Sequence, residues 1–375
     1  MAAGQIDSQM LQICFFTVGR AQQPDFCPHR RTLVLLGVAL SGCRVFLFDT
    51  VGRLLLAYHA EVLIPAADVD QFTRRPGLIV VTNAPTSTFI SAPDGLRLHT
   101  WYFGRRSAPG LPVVCLPGLT RTVEDFDTLA ATLSSDKQAR RVIAIDYRGR
   151  GQSEYDRDPA NYQLQVELAD VLAVVTALDA MPAVFIGTSR GGILTMLLGA
   201  VRPSAIAGVV LNDIGPVIEP KGLIRIKGYV GKLPQPRSFE EGAEILRRLF
   251  DAQFPKLTTG EWLASARRAF KQQDGALVPT YDVNLAKTLE GVDFEKPFPP
   301  MWKEFDALPN KPVMVIRGAN SDLLSAETVE AMRARRPRLV TIEVPDQGHA
   351  PLLADAETIG RIAEFVCRCD DAHRL

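Results

Sequence analysis

From residue 86 onward, short apolar runs alternate with longer amphipathic stretches. Thr86 to Ser91 and Leu96 to Phe103 are strand-like, and Pro93-Asp94-Gly95 between them is a hairpin turn. Pro112 to Leu116, Val142 to Asp146, 183–187, Val209 to Asn212, Val313 to Ile316 and Val340 to Val344 read as further short strands. Helical patterns lie at Val123 to Leu133, Leu164 to Leu178, 190–201, Ala326 to Arg335 and Ile359 to Val366. Short apolar strands alternating with helices predict an α/β fold, a mostly parallel sheet covered by helices on both faces.

The alternation breaks between Pro216 and Leu308. Ser238 to Phe250 and Glu261 to Phe270 carry apolar residues at spacings of three and four, and Tyr281 to Leu289 is read as a third helix, so residues 216–308 are expected to form an all-helical insertion. An insertion of that kind covers the ligand end of the strands as a cap or lid, leaving 84–215 and 309–375 as the core. Trp262, Tyr281 and Trp302 are candidates to line a pocket there, although aromatics at helical spacing commonly belong to a core.

Residues 1–83 follow a different pattern. Leu33 to Phe48 is apolar except for Arg44 and follows His29-Arg30-Arg31. Leu40-Ser41-Gly42-Cys43 resembles a bacterial lipobox, which would place a lipid on Cys43. The flanks argue otherwise: Cys14-Phe15-Phe16 is already apolar, and Arg44 to Phe48 is unlike a polar tether. The segment is therefore read as an N-terminal extension, and the location as cytoplasmic, with lipid anchoring at Cys43 the alternative.

Composition narrows the partners. The 42 basic and 42 acidic residues cancel, which argues against a nucleic acid or other polyanion held by bulk charge. No apolar stretch of about 18 residues lacks charge, so no spanning helix is expected. The 6 cysteines form neither a disulfide framework nor a paired zinc signature, which fits a reducing compartment. Cys115 reads as a core residue, and Cys367 and Cys369 as surface thiols.

The candidate chemistry starts at Gly187-Thr188-Ser189-Arg190-Gly191-Gly192. A serine between glycines at a strand-to-helix corner is a nucleophile elbow, which strains the serine backbone and pushes its hydroxyl out of the sheet. A serine hydroxyl needs a base, an orienting acid and donors for the oxyanion. In chains with this corner the acid and then the histidine follow the nucleophile. Of the 5 histidines only His349 and His373 lie beyond Ser189, and His373 sits in a charged tail. His349, in a loop after a strand, is the candidate base. Two acids follow strand ends in the right interval. Asp322 is the preferred one; Asp213, read as an anchor of the turn into the insertion, is the alternative. The N–H groups of Leu119, after the strand 112–116, and of Arg190 are the candidate oxyanion donors. The Arg190 side chain could form a salt bridge or face the pocket.

Together these residues resemble the α/β-hydrolase superfamily, over residues 87 to about 368. Asp146-Tyr147-Arg148-Gly149-Arg150-Gly151-Gln152-Ser153 is similar to the loop that supports the elbow there. One departure is Pro117-Gly118, where many members have His-Gly. The resemblance implies a serine hydrolase that cleaves an ester of a small acyl substrate through an acyl-enzyme, with no metal or organic cofactor. A carbon–carbon hydrolase or lyase using the same triad, and a non-catalytic ligand receptor, are the alternatives.

Overall fold

Strands with apolar residues on both faces are stable only between two covering layers, and the sheet has that form. It is seen in a computed structural model of the full chain, which describes residues 85–135, 140–290 and 298–374 together with the backbone of three short upstream strands. The chain divides into two units, Met1–Thr82 and Asn83–Leu375. In the first, Leu35–Leu36, Arg44–Phe48 and Leu54–His59 form an antiparallel sheet in that order. Cys43 lies outside the described residues.

The second unit is built on an 8-stranded sheet. Its strands are β1 (Thr86–Ser91), β2 (Arg97–Phe103), β3 (Val113–Leu116), β4 (Val142–Ile145), β5 (Ala183–Thr188), β6 (Ile206–Asn212), β7 (Val313–Gly318) and β8 (Val340–Val344). The spatial order is β1-β2-β4-β3-β5-β6-β7-β8. β2 runs antiparallel to β1 and β4, and every pairing from β4 to β8 is parallel. The helices are α1 (Asp127–Leu133), α2 (Leu164–Ala177), α3 (Arg190–Val201), α4 (Pro220–Tyr229), α5 (Phe239–Phe250), α6 (Thr259–Ala269), α7 (Trp302–Asp306), α8 (Ala326–Arg335) and α9 (Ala356–Arg374). Among the described residues no helix is long and apolar enough to cross a membrane.

The side-chain period of two divides the core. Val114, Leu116, Ile143 and Phe185 join one apolar cluster, while Val113, Cys115, Val142, Val184 and Ile186 join another. α9 packs into the second cluster and carries Cys369 with it. Cys369 is therefore a buried thiol, pushed up to about 12 chiefly by desolvation, and not the surface thiol that its place near the C-terminus suggested. Its neighbour is Gly208 in β6, where an added Cβ would lie 2.4 Å from the sulfur.

The insertion between β6 and β7 is not all-helical. α4, α5 and α6 are followed by an antiparallel hairpin, Phe270–Gln273 with Ala276–Pro279, and then by a 3-10 turn at Val283–Leu289 where a regular helix was expected. Asp274 and Gly275 at the hairpin tip have φ of 50° and 80°, the conformation that an Asp-Gly pair adopts readily in a two-residue turn. α5 and α6 share their own small core of Leu246, Trp262, Ala266 and Phe270.

Gly208→Ala is expected to destabilise the fold by about 1–3 kcal/mol in urea denaturation, through overpacking against Cys369. Combined with Cys369→Ala, which removes the colliding sulfur, most of that added loss should disappear; strictly additive losses would refute the contact.

Candidate active site

The corner after β5 is possible only because three positions lack a Cβ. On Gly187 it would lie 2.4 Å from the Gly191 carbonyl, on Gly191 2.1 Å from the Leu116 carbonyl oxygen, and on Gly192 2.2 Å from Ile214. Ser189 occupies the bend with φ 50° and ψ −111°, at the N-cap of α3. A non-glycine residue held there stores about 1–3 kcal/mol of strain, which the surrounding packing must enforce.

Three loops at the ends of β5, β6 and β8 converge on this hydroxyl. Ser189 Oγ lies 2.9 Å from His349 Nε2, and His349 Nδ1 lies 2.8 Å from Asp213 Oδ2. A carboxylate only accepts, so Nδ1–H donates to Asp213 and Nε2 is left to accept the serine proton. Asp213 is fully buried at the end of β6, where it also accepts from the Gly318 N–H (2.8 Å) and the Ser321 hydroxyl (2.6 Å).

The structure does not bring Asp322 to His349. Asp322 accepts from Arg225 of α4 in a two-pronged ion pair, 2.7 Å to Nε and 2.9 Å to Nη2. Burial would raise its pKa, but the Arg225 hydrogen bonds and charge hold it below the usual carboxylate value. The turn after β7, closed by Ser321 N–H to Gly318 O, aims Ser321 at Asp213 and carries Asp322 past it. Asp213 is thus more than the hinge anchor that its sequence context suggested.

Gln253, in the insertion, was not singled out by sequence. Its side-chain oxygen accepts from the His349 N–H (3.0 Å), and its carbonyl accepts from Asn320 Nδ2 (3.2 Å). Buried Asn212 donates to the Pro351 carbonyl (2.9 Å), tying the histidine loop to β6. Neither residue type carries a pattern that would have revealed these roles.

The loop after β3 lies against the elbow: a Cβ on Gly118 would be 3.9 Å from Ser189 Cβ. Its position is set by the Asp146–Ser153 segment. Tyr147 donates its hydroxyl to the Pro117 carbonyl (3.2 Å), and Arg150 Nε donates to the Leu119 carbonyl (2.9 Å). Arg150 is itself fully buried and ion-paired to Glu167 at 2.8 Å. The other Glu167 oxygen takes Arg190 Nε at 2.5 Å, which settles the Arg190 side chain as a salt bridge. One buried carboxylate on α2 therefore ties the Leu119 loop to the residue that follows Ser189. Burial alone would raise the Glu167 pKa, but the two guanidiniums overcome it and hold the carboxyl below its ordinary value.

A second hydrogen-bonded Ser–His–Asp chain exists. Ser87 Oγ lies 3.0 Å from His99 Nε2, and His99 Nδ1 lies 2.7 Å from Asp146 Oδ2. Ser87, however, is on the extended edge strand β1, with no strained corner. Asp146 also accepts from the Val123 N–H (2.8 Å), so this chain braces the loop beneath the elbow.

Ser189 and His349 open on a cavity of about 370 Å³, walled by Leu119 and by insertion residues including Tyr229, Phe250, Trp262 and Tyr281. Trp302 instead lies under the Arg335 guanidinium, 4.3 Å from its ring centre. Among the described residues no group of three or more His, Cys, Asp or Glu side chains is placed to hold a metal ion.

Comparison with known proteins matches residues 113–361 to the model of the alpha/beta hydrolase family. The chain is 34% identical to the 3-hydroxybutyrate-oligomer hydrolase of Cupriavidus necator, over 75% of this chain and 98% of that protein. It is 24% identical to the 2-(acetamidomethylene)succinate hydrolase of Mesorhizobium japonicum, over 65% of this chain and 84% of that protein. A crystal structure of an alpha/beta hydrolase from Novosphingobium aromaticivorans superposes with a TM-score of 0.70 at 38% identity, covering 76% of this chain and 99% of that one.

Glu167→Gln leaves buried Arg150 and half-buried Arg190 without their shared anion and is expected to cost about 3–5 kcal/mol of stability near neutral pH. Because the folded pKa is depressed, the carboxylate's contribution is complete above its ordinary value of 4.5 and is lost as pH falls through the folded value. The stability gap between wild type and variant in denaturant titrations should therefore shrink below about pH 4.5; a gap independent of pH there would contradict the assignment.

Proposed function

The chain belongs to the alpha/beta hydrolase family, and on that footing we propose that it hydrolyses a carboxylic ester through an acyl-enzyme. The observation that carries this reading is the hydrogen-bonded line from Ser189 Oγ through His349 to Asp213, opening on a largely apolar cavity.

In this mechanism Ser189 attacks the ester carbonyl while His349 Nε2 takes its proton. Asp213 holds the imidazole in the productive tautomer and stabilises the imidazolium. The N–H groups of Leu119 and Arg190 receive the oxyanion, and the Glu167 bridge keeps their two segments in register. His349 then protonates the leaving alcohol, and a water molecule, activated the same way, releases the acid. Residues 216–308 act as the lid, since α4, α5 and α6 supply much of the cavity wall and Gln253 holds the histidine loop.

The substrate class follows from the relative in Cupriavidus necator, whose name specifies oligomers of 3-hydroxybutyrate. Short oligoesters of a hydroxy acid fit a cavity of about 370 Å³ whose wall is mostly apolar.

Ser189→Ala is expected to abolish hydrolysis of 3-hydroxybutyrate oligomers and of p-nitrophenyl butyrate. Asp213→Asn should lower kcat by about four orders of magnitude by fixing the wrong histidine tautomer. Asp322→Asn breaks the Arg225 pair and should lower stability by about 2–3 kcal/mol while changing kcat less than about tenfold. Steady-state kinetics and denaturation of the three variants decide the point. An Asp213→Asn variant with nearly full kcat would overturn the assignment of the acid.

A further inference from the structure

The histidine loop is held by the insertion as well as by the sheet. Buried Gln253 stands in the turn that ends α5, where its own N–H and that of Phe254 both donate to the Phe250 carbonyl at 2.9 Å. From this turn its side-chain oxygen takes the His349 N–H at 3.0 Å, and its carbonyl takes Asn320 Nδ2 at 3.2 Å. The His349 N–H lies in no helix or strand, so the amide supplies the acceptor that regular structure would otherwise give. The fit is close: a Cβ on Gly348 would lie 2.5 Å from the Gln253 Cβ. Leu352, from the same loop as His349, packs against the small core shared by α5 and α6. The exposed pair of Lys256 with Asp346, at 2.7 Å, joins the same two segments but adds little energy.

The turn that carries Gln253 also faces the substrate. Phe250 and Phe254 line the cavity with Ser189 and His349, and Leu352 lies on the same wall. One turn of the insertion therefore touches the apolar space on one side and the backbone of the base on the other. A displacement of about 1 Å in a reacting group can lower the rate by roughly a hundredfold, so whatever steadies this turn bears on the Ser189–His349 line.

We propose that Gln253 is a positioning residue that couples the acyl chain of the substrate to His349. A chain long enough to pack against Phe250 and Phe254 steadies their turn, and Gln253 passes that order to the histidine backbone. The coupling rests on the ester-hydrolase reading and deepens it. Binding energy from a part of the substrate that does not react is spent on aligning the base, so chain-length selectivity appears in kcat and not in KM alone.

The test uses p-nitrophenyl acetate and p-nitrophenyl hexanoate, which share a leaving group and differ in chain length. Wild type is expected to turn over the hexanoate with a kcat roughly tenfold or more above the acetate. Gln253→Met keeps the bulk but offers the His349 N–H no oxygen. It should lower kcat for the hexanoate by roughly ten- to a hundredfold, and for the acetate much less, without raising KM. Gln253→Glu keeps the oxygen and should restore most of the difference. If Gln253→Met does not fold, Gln253→Asn, too short to reach, takes its place with the same expected losses. Equal kcat for the two esters in wild type, proportional losses on both in Gln253→Met, or no rescue by Gln253→Glu would overturn the coupling. If wild type hydrolyses neither ester, the hydrolytic reading fails separately, and amide hydrogen exchange of the peptide containing His349 decides. Faster exchange in Gln253→Met that Gln253→Glu reverses supports the positioning role; exchange unchanged from wild type overturns it.

Discussion

The site depends on one backbone constraint, the positive φ of Ser189 between β5 and α3. The bend exists because the chain passes within contact distance of itself at Gly187, Gly191 and Gly192, where any side chain would meet backbone or the Ile214 methyl. That close approach seats the start of α3 directly behind β3. It also explains why the loops after β3, β6 and β8 can all reach one hydroxyl.

Around this bend the chain solves two electrostatic problems with buried charge. Asp213, fully buried, has its oxygens filled by the Gly318 N–H, the Ser321 hydroxyl and the His349 imidazole, so its charge is compensated without a cationic residue beside it. Glu167 takes the opposite course and pairs with two arginines, one reaching the Leu119 carbonyl and one following Ser189. The first arrangement orients a histidine. The second fixes the spacing of two loops through an ion pair to Arg150 and a charge-assisted hydrogen bond from Arg190.

Much of this was legible in the chain. The sheet and elbow could be read because apolar strands and glycines at a fixed corner have few other uses. The partners of the acids could not. Asp213 and Asp322 both follow strand ends, and what separates them is Arg225 on an insertion helix and Ser321 in a turn, contacts that only the folded chain creates. Gln253 was hidden for the same reason, since a glutamine on a cap carries no signature of its backbone partner 96 residues away. The insertion was read as all-helical although Asp274-Gly275 announced a hairpin, because apolar spacing was weighed above turn chemistry. Cys369 was misplaced because the void over Gly208 has no trace in local sequence.

Two Ser–His–Asp chains in one unit make the central claim unusually open to direct test. Ser189 sits on the strained corner over a cavity, whereas Ser87 sits on an extended edge strand. Labelling the protein with a fluorophosphonate and mapping the adduct by peptide mass spectrometry distinguishes them. The account predicts a single stoichiometric adduct on Ser189 that is absent from Ser189→Ala. An adduct on Ser87, or labelling that survives in Ser189→Ala, would contradict it.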